Sequence, residues 1–188
     1  CRAPAGFDAR FAAVWRRYSY RIADSLAFAD PGRRRDTVWL PDRLDLDAMN
    51  HASANLLGLR DFAAFCKRRD GATTVRTLLD FSWSRAADGV VEARVVADAF
   101  CHSMVRSLVG SVVPVGLGRE GVHWPGQVQA TAARSGRVKV MPAHGLCLEE
   151  VGYPADAALG ERARAARARR DDLPDPAGTP RPEPVIAP

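Results

Sequence analysis

Polar and apolar residues alternate from Val14 to Ile22, with Tyr18, Tyr20 and Ile22 on one face and Arg17, Ser19 and Arg21 on the other. This is the pattern of a strand buried on one side. A second strand is expected over Asp36–Leu40, ended by Pro41. Asp45 or Asp47 can cap a helix running to about Leu57, with Met49, Ala52, Leu56 and Leu57 at helical spacing and Gly58 as its stop. Asp61 is placed to cap a shorter helix over Phe62–Lys67. Val75, Thr77, Leu79, Phe81 and Trp83 then alternate with polar positions, and Val91–Ala97 runs back across the turn signal Asp88-Gly89. Met104, Val105, Leu108, Val109 and Val112 form the apolar face of a helix over Cys101–Leu117, which Pro114 should kink or end. Pro125–Ala133 fits another helix and Leu146–Val151 a last strand. Hairpins interleaved with helices, without a βαβ rhythm, predict an α+β fold: a mostly antiparallel sheet with helices on one side.

The pattern divides the chain in two. Residues 1–154 carry all these elements and form the expected domain. Residues 155–188, rich in arginine and proline, are expected to form a disordered tail: Glu161–Asp172 could form a transient helix but has no apolar stripe to bury, and Leu173–Pro188 should stay disordered. The 188-residue length suits a single core, and 47% hydrophobic with 26% charged residues is ordinary globular composition. No apolar run approaches the ~20 residues of a membrane helix. The first residue is Cys1, which suggests an incomplete N-terminus. Cys1, Cys66, Cys101 and Cys147 contain no Cys-x-x-Cys pair, so neither zinc nor a redox dithiol is expected and reduced thiols are the default.

The net charge of +5 changes the picture by its location. Beyond Ala155, six arginines balance six acids, so the excess lies in residues 1–154. There it gathers as Arg16-Arg17-Arg21, Arg33-Arg34-Arg35 and Lys67-Arg68-Arg69, clusters able to meet a polyanion or simply to form a solvated face.

Four blocks narrow the reading further. Phe7-Asp-Ala-Arg-Phe11, Arg16-Arg-Tyr-Ser-Tyr-Arg21, Ala99-Phe-Cys-His-Ser-Met-Val-Arg-Ser-Leu-Val-Gly110 and Gly145-Leu-Cys-Leu-Glu-Glu-Val-Gly-Tyr-Pro154 occur in that order. Together they resemble the C-terminal half of the TruA-family tRNA pseudouridine synthases over about Phe7–Pro154. The resemblance implies a cofactor-free isomerisation of uridine in tRNA, at positions 38 to 40 of the anticodon stem-loop, by a cytoplasmic homodimer. Tyr18 would stack on the extruded base, and Arg106 would pair with the nucleophilic aspartate. Phe7, Asp8, Ala9, Arg10 and Phe11 would contact RNA, with Arg16, Arg17, Lys67, Arg68, Arg69 and His102 as further contacts.

The residue types suit that chemistry. An aromatic ring on a strand holds an unstacked base, worth ~1–3 kcal/mol. A guanidinium keeps a buried carboxylate ionised and supplies a two-pronged partner. Periodicity alone does not separate Tyr18 from Tyr20, nor Arg106 from a surface arginine on an amphipathic helix. The family's Gly-Arg-Thr-Asp-Ala-Gly block, which carries the nucleophile, is absent from these residues. Asp36 and Asp70, each beside an arginine, lack that setting and are not assigned as nucleophile; Asp70 is read as a turn residue. The alternatives are a fragment of such an enzyme, which the missing methionine favours, and a non-catalytic RNA-binding module.

Overall fold

The computed structural model describes residues 3–25, 29–67, 69, 72–134 and 136–167. It divides into two compact units: Arg16–Glu150, and the residues on either side of it.

The larger unit is an open sheet. Its strands are β1 (Trp15–Ala23), β2 (Val38–Trp39), β3 (Gly58–Asp61), β4 (Val75–Arg85), β5 (Val91–Ala97) and β6 (Leu146–Gly152). The order across the sheet is β2-β1-β5-β4-β3, and β6 also pairs with β1. β1–β5, β5–β4 and β4–β3 are antiparallel; β1–β2 is a short parallel contact. Three helices, α1 (Leu46–Ala54), α2 (Met104–Gly116) and α3 (Trp124–Ala130), pack on one side. The expected α+β architecture is thus present, and no helix among the described residues is long and apolar enough to cross a membrane.

Local chemistry accounts for most boundaries. Asp45 caps α1, its carboxylate accepting the Ala48 N–H at 3.0 Å. In the β4–β5 turn Gly89 takes φ +82°, and the Asp88 carboxylate accepts the Val90 N–H. Tyr20 and Ile22 of β1, Val91, Ala93 and Val95 of β5, and Met104, Leu108, Val109 and Val112 of α2 meet in one core.

Four local expectations are corrected. Gly58 does not end a helix but opens β3, whose exposed four-residue sequence has no alternation and is set by pairing with β4. No α-helix follows Asp61: its carboxylate accepts the Ala63 N–H at 2.9 Å, and Phe62 leads into a single 3-10 turn, Ala63–Phe65. A bulge between Leu78 and Asp80 shifts the face of β4, so Leu78 is buried with Phe81 and Trp83 while Leu79 is only half-buried. Pro114 does not end α2, which begins at Met104 and continues to Gly116.

Sequence reasoning also missed an ion pair with a buried carboxylate. Asp24, 0% exposed, receives both terminal nitrogens of Arg85 at 2.7 Å and the Leu44 N–H at 2.9 Å. It ties the end of β1 to the end of β4 and to the segment leading into α1.

In the smaller unit, the expected tail departs from the observed one. Residues 155–167 form a 3-10 turn at Asp156–Ala158 and helix α4, Leu159–Arg167. Leu159 and Ala163, one turn apart, are buried with Ala12, and Phe7 and Phe11 pack against them. Two residues therefore supply an apolar stripe that was not recognised in the sequence. The disorder expected for Leu173–Pro188 lies outside the described residues. Deleting 168–188 should leave the melting temperature within about 1 °C, whereas deleting 155–188 should lower it by several degrees by exposing this cluster. Thermal denaturation of the two truncations, followed by circular dichroism, checks this.

Candidate active site

A cavity of about 320 Å³ opens where β1, the end of β5, α2 and the start of β6 converge. Tyr18, Phe100, the segment Cys101–Arg106 and Leu146 line it. Its volume is at the lower end of those that hold small organic ligands.

Each wall has a local cause. Alternation along β1 puts Tyr18 and Tyr20 on one face; Tyr20 is buried in the core, and Tyr18, nearer the start of the strand, is half-buried. The Tyr18 ring meets Phe100 edge-on, with centroids 5.1 Å apart and planes at 88°. Asp98 fixes the turn that delivers Phe100, its carboxylate accepting the N–H groups of Thr77 at 3.0 Å and Ala99 at 2.7 Å. Arg16, on the same side of β1 as Tyr18, donates to the Asp98 carbonyl at 3.3 Å.

The two tyrosines that periodicity leaves equivalent are separated by the tertiary structure. Tyr20 is 0% exposed, and its hydroxyl donates to the Pro142 carbonyl at 2.7 Å. Burial raises its pKa, with the nearby Arg106 charge opposing the rise. Tyr18 is the ring that borders the cavity.

Arg106 is held at two points by the chain on its far side. Its Nε–H donates to the Met141 carbonyl at 2.5 Å, and its own carbonyl accepts the Met141 N–H at 3.2 Å. Gly110, one turn on, makes this approach possible: a Cβ there would lie 1.8 Å from the Lys139 carbonyl oxygen. Gly110→Ala should therefore push the 139–141 segment away from α2. We expect a loss of about 3 kcal/mol or more, since backbone rather than a movable side chain is the obstacle; urea denaturation of the variant measures it.

Of the other predicted contacts, His102 reaches the same cavity, exposed, with Nδ1 3.0 Å from the Ser103 hydroxyl. Ser103 adopts φ +69°, unusual for a residue with a side chain, at the entry to α2. Lys67 is exposed, and its N–H donates to the His102 carbonyl at 3.1 Å, so it neighbours the site. Arg69 is exposed, and Arg68 lies outside the described residues. Arg17 is not brought to the cavity: it sits on the opposite face of β1 and pairs with Glu150 at 2.9 Å. Phe7, Asp8, Ala9, Arg10 and Phe11 belong to the smaller unit. There the Asp8 carboxylate accepts the N–H groups of Arg10 and Phe11, and Phe7 packs edge-on against Tyr153.

Phe100 and Leu146 were not singled out from sequence, although each lies within a recognised block; Phe100 follows β5 in the loop toward α2, and Leu146 begins β6. The cysteines also differ from expectation. Cys66 and Cys101 are joined as a disulfide with Cα atoms 5.7 Å apart, while Cys147 is free and exposed. Their separation of 35 residues hid a contact that the fold makes.

An open α+β sheet with an aromatic ring and a guanidinium sharing one cavity defines a domain suited to holding a planar, polar ligand beside an anion. The family model described as tRNA pseudouridine synthase matches residues 52–154, more than half of the chain. The chain is 56% identical over 171 residues to tRNA pseudouridine synthase A of Leifsonia xyli, covering 89% of this chain and 58% of that protein. It is 54% identical over 168 residues to the Streptomyces avermitilis protein of that name and 47% over 171 residues to the Mycobacterium leprae one, covering 59% of each. The chain belongs to the tRNA pseudouridine synthase family. It spans about six-tenths of the length of these relatives.

Proposed function

We propose that this chain forms the base-holding wall of a tRNA pseudouridine synthase, corresponding to the C-terminal half of the enzyme. The observation that carries the reading is the placement of Tyr18 and Arg106 on one cavity. An extruded uracil stacks on Tyr18, which also stands where a proton at the new carbon–carbon bond can be handled. Arg106 pairs with the carboxylate that attacks the nucleoside and keeps it ionised. The uracil leaves its sugar, rotates and reattaches through carbon, with no cofactor. Because the Gly-Arg-Thr-Asp-Ala-Gly block is absent from these residues, the carboxylate comes from polypeptide outside them. The substrate is a uridine of the anticodon stem-loop, and the enzyme works in the cytoplasm as a homodimer. Arg16, Lys67, Arg69 and His102 contact the RNA backbone around the cavity, and Arg10 does so from the smaller unit.

The missing block also favours a second reading, a module that binds RNA without chemistry. The two are separated by joining the unmatched portion of the Leifsonia xyli relative to this chain and assaying uridine isomerisation in tRNA. Activity in the chimera, and none in the 188-residue chain, is expected. In the chimera Tyr18→Phe should retain tRNA binding and lose most turnover. A Tyr18→Phe variant with full turnover removes the hydroxyl from the mechanism. For the chain alone, tRNA binding should weaken steeply with salt. Arg16→Ala should flatten that slope, whereas Arg17→Ala, whose side chain faces Glu150, should alter it less; titrations at several salt concentrations measure both.

A further inference from the structure

We propose that Cys66 and Cys101 form a reversible thiol–disulfide site, oxidised by low-molecular-weight disulfides, that locks the loop lining the Tyr18–Arg106 cavity. The placement is set by backbone, independently of the sulfurs. Cys66 terminates the Ala63–Phe65 turn, its N–H donating to the Ala63 carbonyl. Cys101 opens the loop into α2, its carbonyl accepting the Met104 N–H at 3.0 Å. The residues that follow each cysteine are joined by the Lys67 N–H to His102 carbonyl bond. The resulting Cα separation of 5.7 Å lies in the middle of the range a disulfide spans.

Exposure makes the pair asymmetric. Cys66 is 2% exposed, whereas Cys101 is half-buried and borders the cavity. An incoming disulfide R–S–S–R therefore meets Cys101 first. The Cys101 thiolate attacks one sulfur and expels R–S⁻, which takes up the proton that Cys101 gave up. The Cys66 thiolate then attacks the Cys101 sulfur and expels the second R–S⁻, which is protonated in turn. The protein dithiol loses two electrons, and the reagent leaves as two thiols; excess dithiol runs the sequence backwards.

The segment under control contains an uncapped left-handed residue at the entry to α2. Ser103 holds a left-handed backbone conformation that its own side chain does not stabilise with a capping bond. Oxidation fastens this loop covalently to the Lys67 segment and fixes His102 and the entry to α2, leaving a cavity already large enough for a base. Reduction leaves that geometry to the Lys67–His102 bond. A disulfide in a protein that works on tRNA in a reducing compartment is more often responsive than structural. The choice of compartment, and the effect on RNA, rest on the proposed function; the thiol chemistry does not.

The test uses the 188-residue chain with Cys1→Ser and Cys147→Ser, so that thiol titration counts only the pair. Equilibration with oxidised glutathione should remove both thiols and yield a Cys66–Cys101 cross-linked peptide by mass spectrometry under non-reducing digestion. Dithiothreitol should restore both thiols without denaturant. The oxidised form should melt roughly 5–10 °C above the reduced form. It should also bind tRNA roughly 2–10-fold more tightly, because loop ordering is already complete. Stable glutathione adducts without the cross-link, two thiols that persist, or a bond that native protein never releases would each overturn the site. A cross-link with unchanged tRNA affinity would overturn the lock. Absence of tRNA binding in both forms would instead count against the functional reading. If the substituted chain fails to fold, mapping the thiols of the unsubstituted chain by the same digestion distinguishes the same outcomes.

Discussion

Arg106→Ala in the chimera is expected to lower turnover by about 10²–10³-fold while changing tRNA affinity little. That magnitude is typical when a preorganised charged donor is removed from a closed site. Two features make this residue more than a nearby charge. Its Nε–H is engaged by the Met141 carbonyl, so the guanidinium is fixed before any ligand arrives. It also borders the cavity beside Tyr18, where a carboxylate attacking a stacked nucleoside would stand. Arg106→Lys keeps the charge but loses the planar fork and the Met141 bond, and should recover only part of the loss. Single-turnover measurements with saturating enzyme separate this effect from binding. Wild-type turnover in Arg106→Ala would refute the role given to it.

Asp24→Ala should destabilise the protein by about 2–3 kcal/mol, less than the full cost of splitting a buried ion pair because the Arg85 side chain left behind is 21% exposed and can be hydrated. Arg85 would keep its contact with the Gly89 carbonyl, but the Leu44 N–H would lose its acceptor. The pair also sets a direction for pH. Burial acts to raise the Asp24 pKa, but the Arg85 hydrogen bonds and then the Leu44 N–H outweigh it, leaving it below the ordinary carboxylate value. A carboxylate with a lowered folded-state pKa stabilises the protein above its unfolded pKa of about 3.9. That contribution fades as pH falls below this value and through the folded pKa. The stability difference between wild type and Asp24→Asn should accordingly be largest near neutral pH and shrink below about pH 4. Urea denaturation at a series of pH values tests both the size and the sign.

These effects show where sequence patterns carry structural information. β1, β5, α1 and the Asp88-Gly89 turn are legible because each obeys a short-range rule: partial alternation with β-branched and aromatic residues, an aspartate cap, or a left-handed glycine. β3 and the bulge in β4 are not, because pairing with a distant strand, rather than their own alternation, fixes them. α4 was discounted for want of a stripe, yet Leu159 and Ala163 suffice once Ala12 is beside them.

For the site, the chain by itself determined the residue types and their local spacing: an aromatic ring on a half-buried strand, a basic residue on an apolar helix, and four blocks in a family's order. It could not choose between Tyr18 and Tyr20, since both lie on the same face at period two. The tertiary structure made that choice by closing Pro142 over Tyr20 and leaving Tyr18 at the mouth. It likewise oriented Arg106 through Met141, gave Arg17, already on the far face by alternation, its partner Glu150, and brought Cys66 to Cys101 across 35 residues. The physical reason is common to all four. Short-range sterics and hydrogen bonding determine which way a side chain leaves its own element, whereas burial, pairing and access depend on segments far away in sequence.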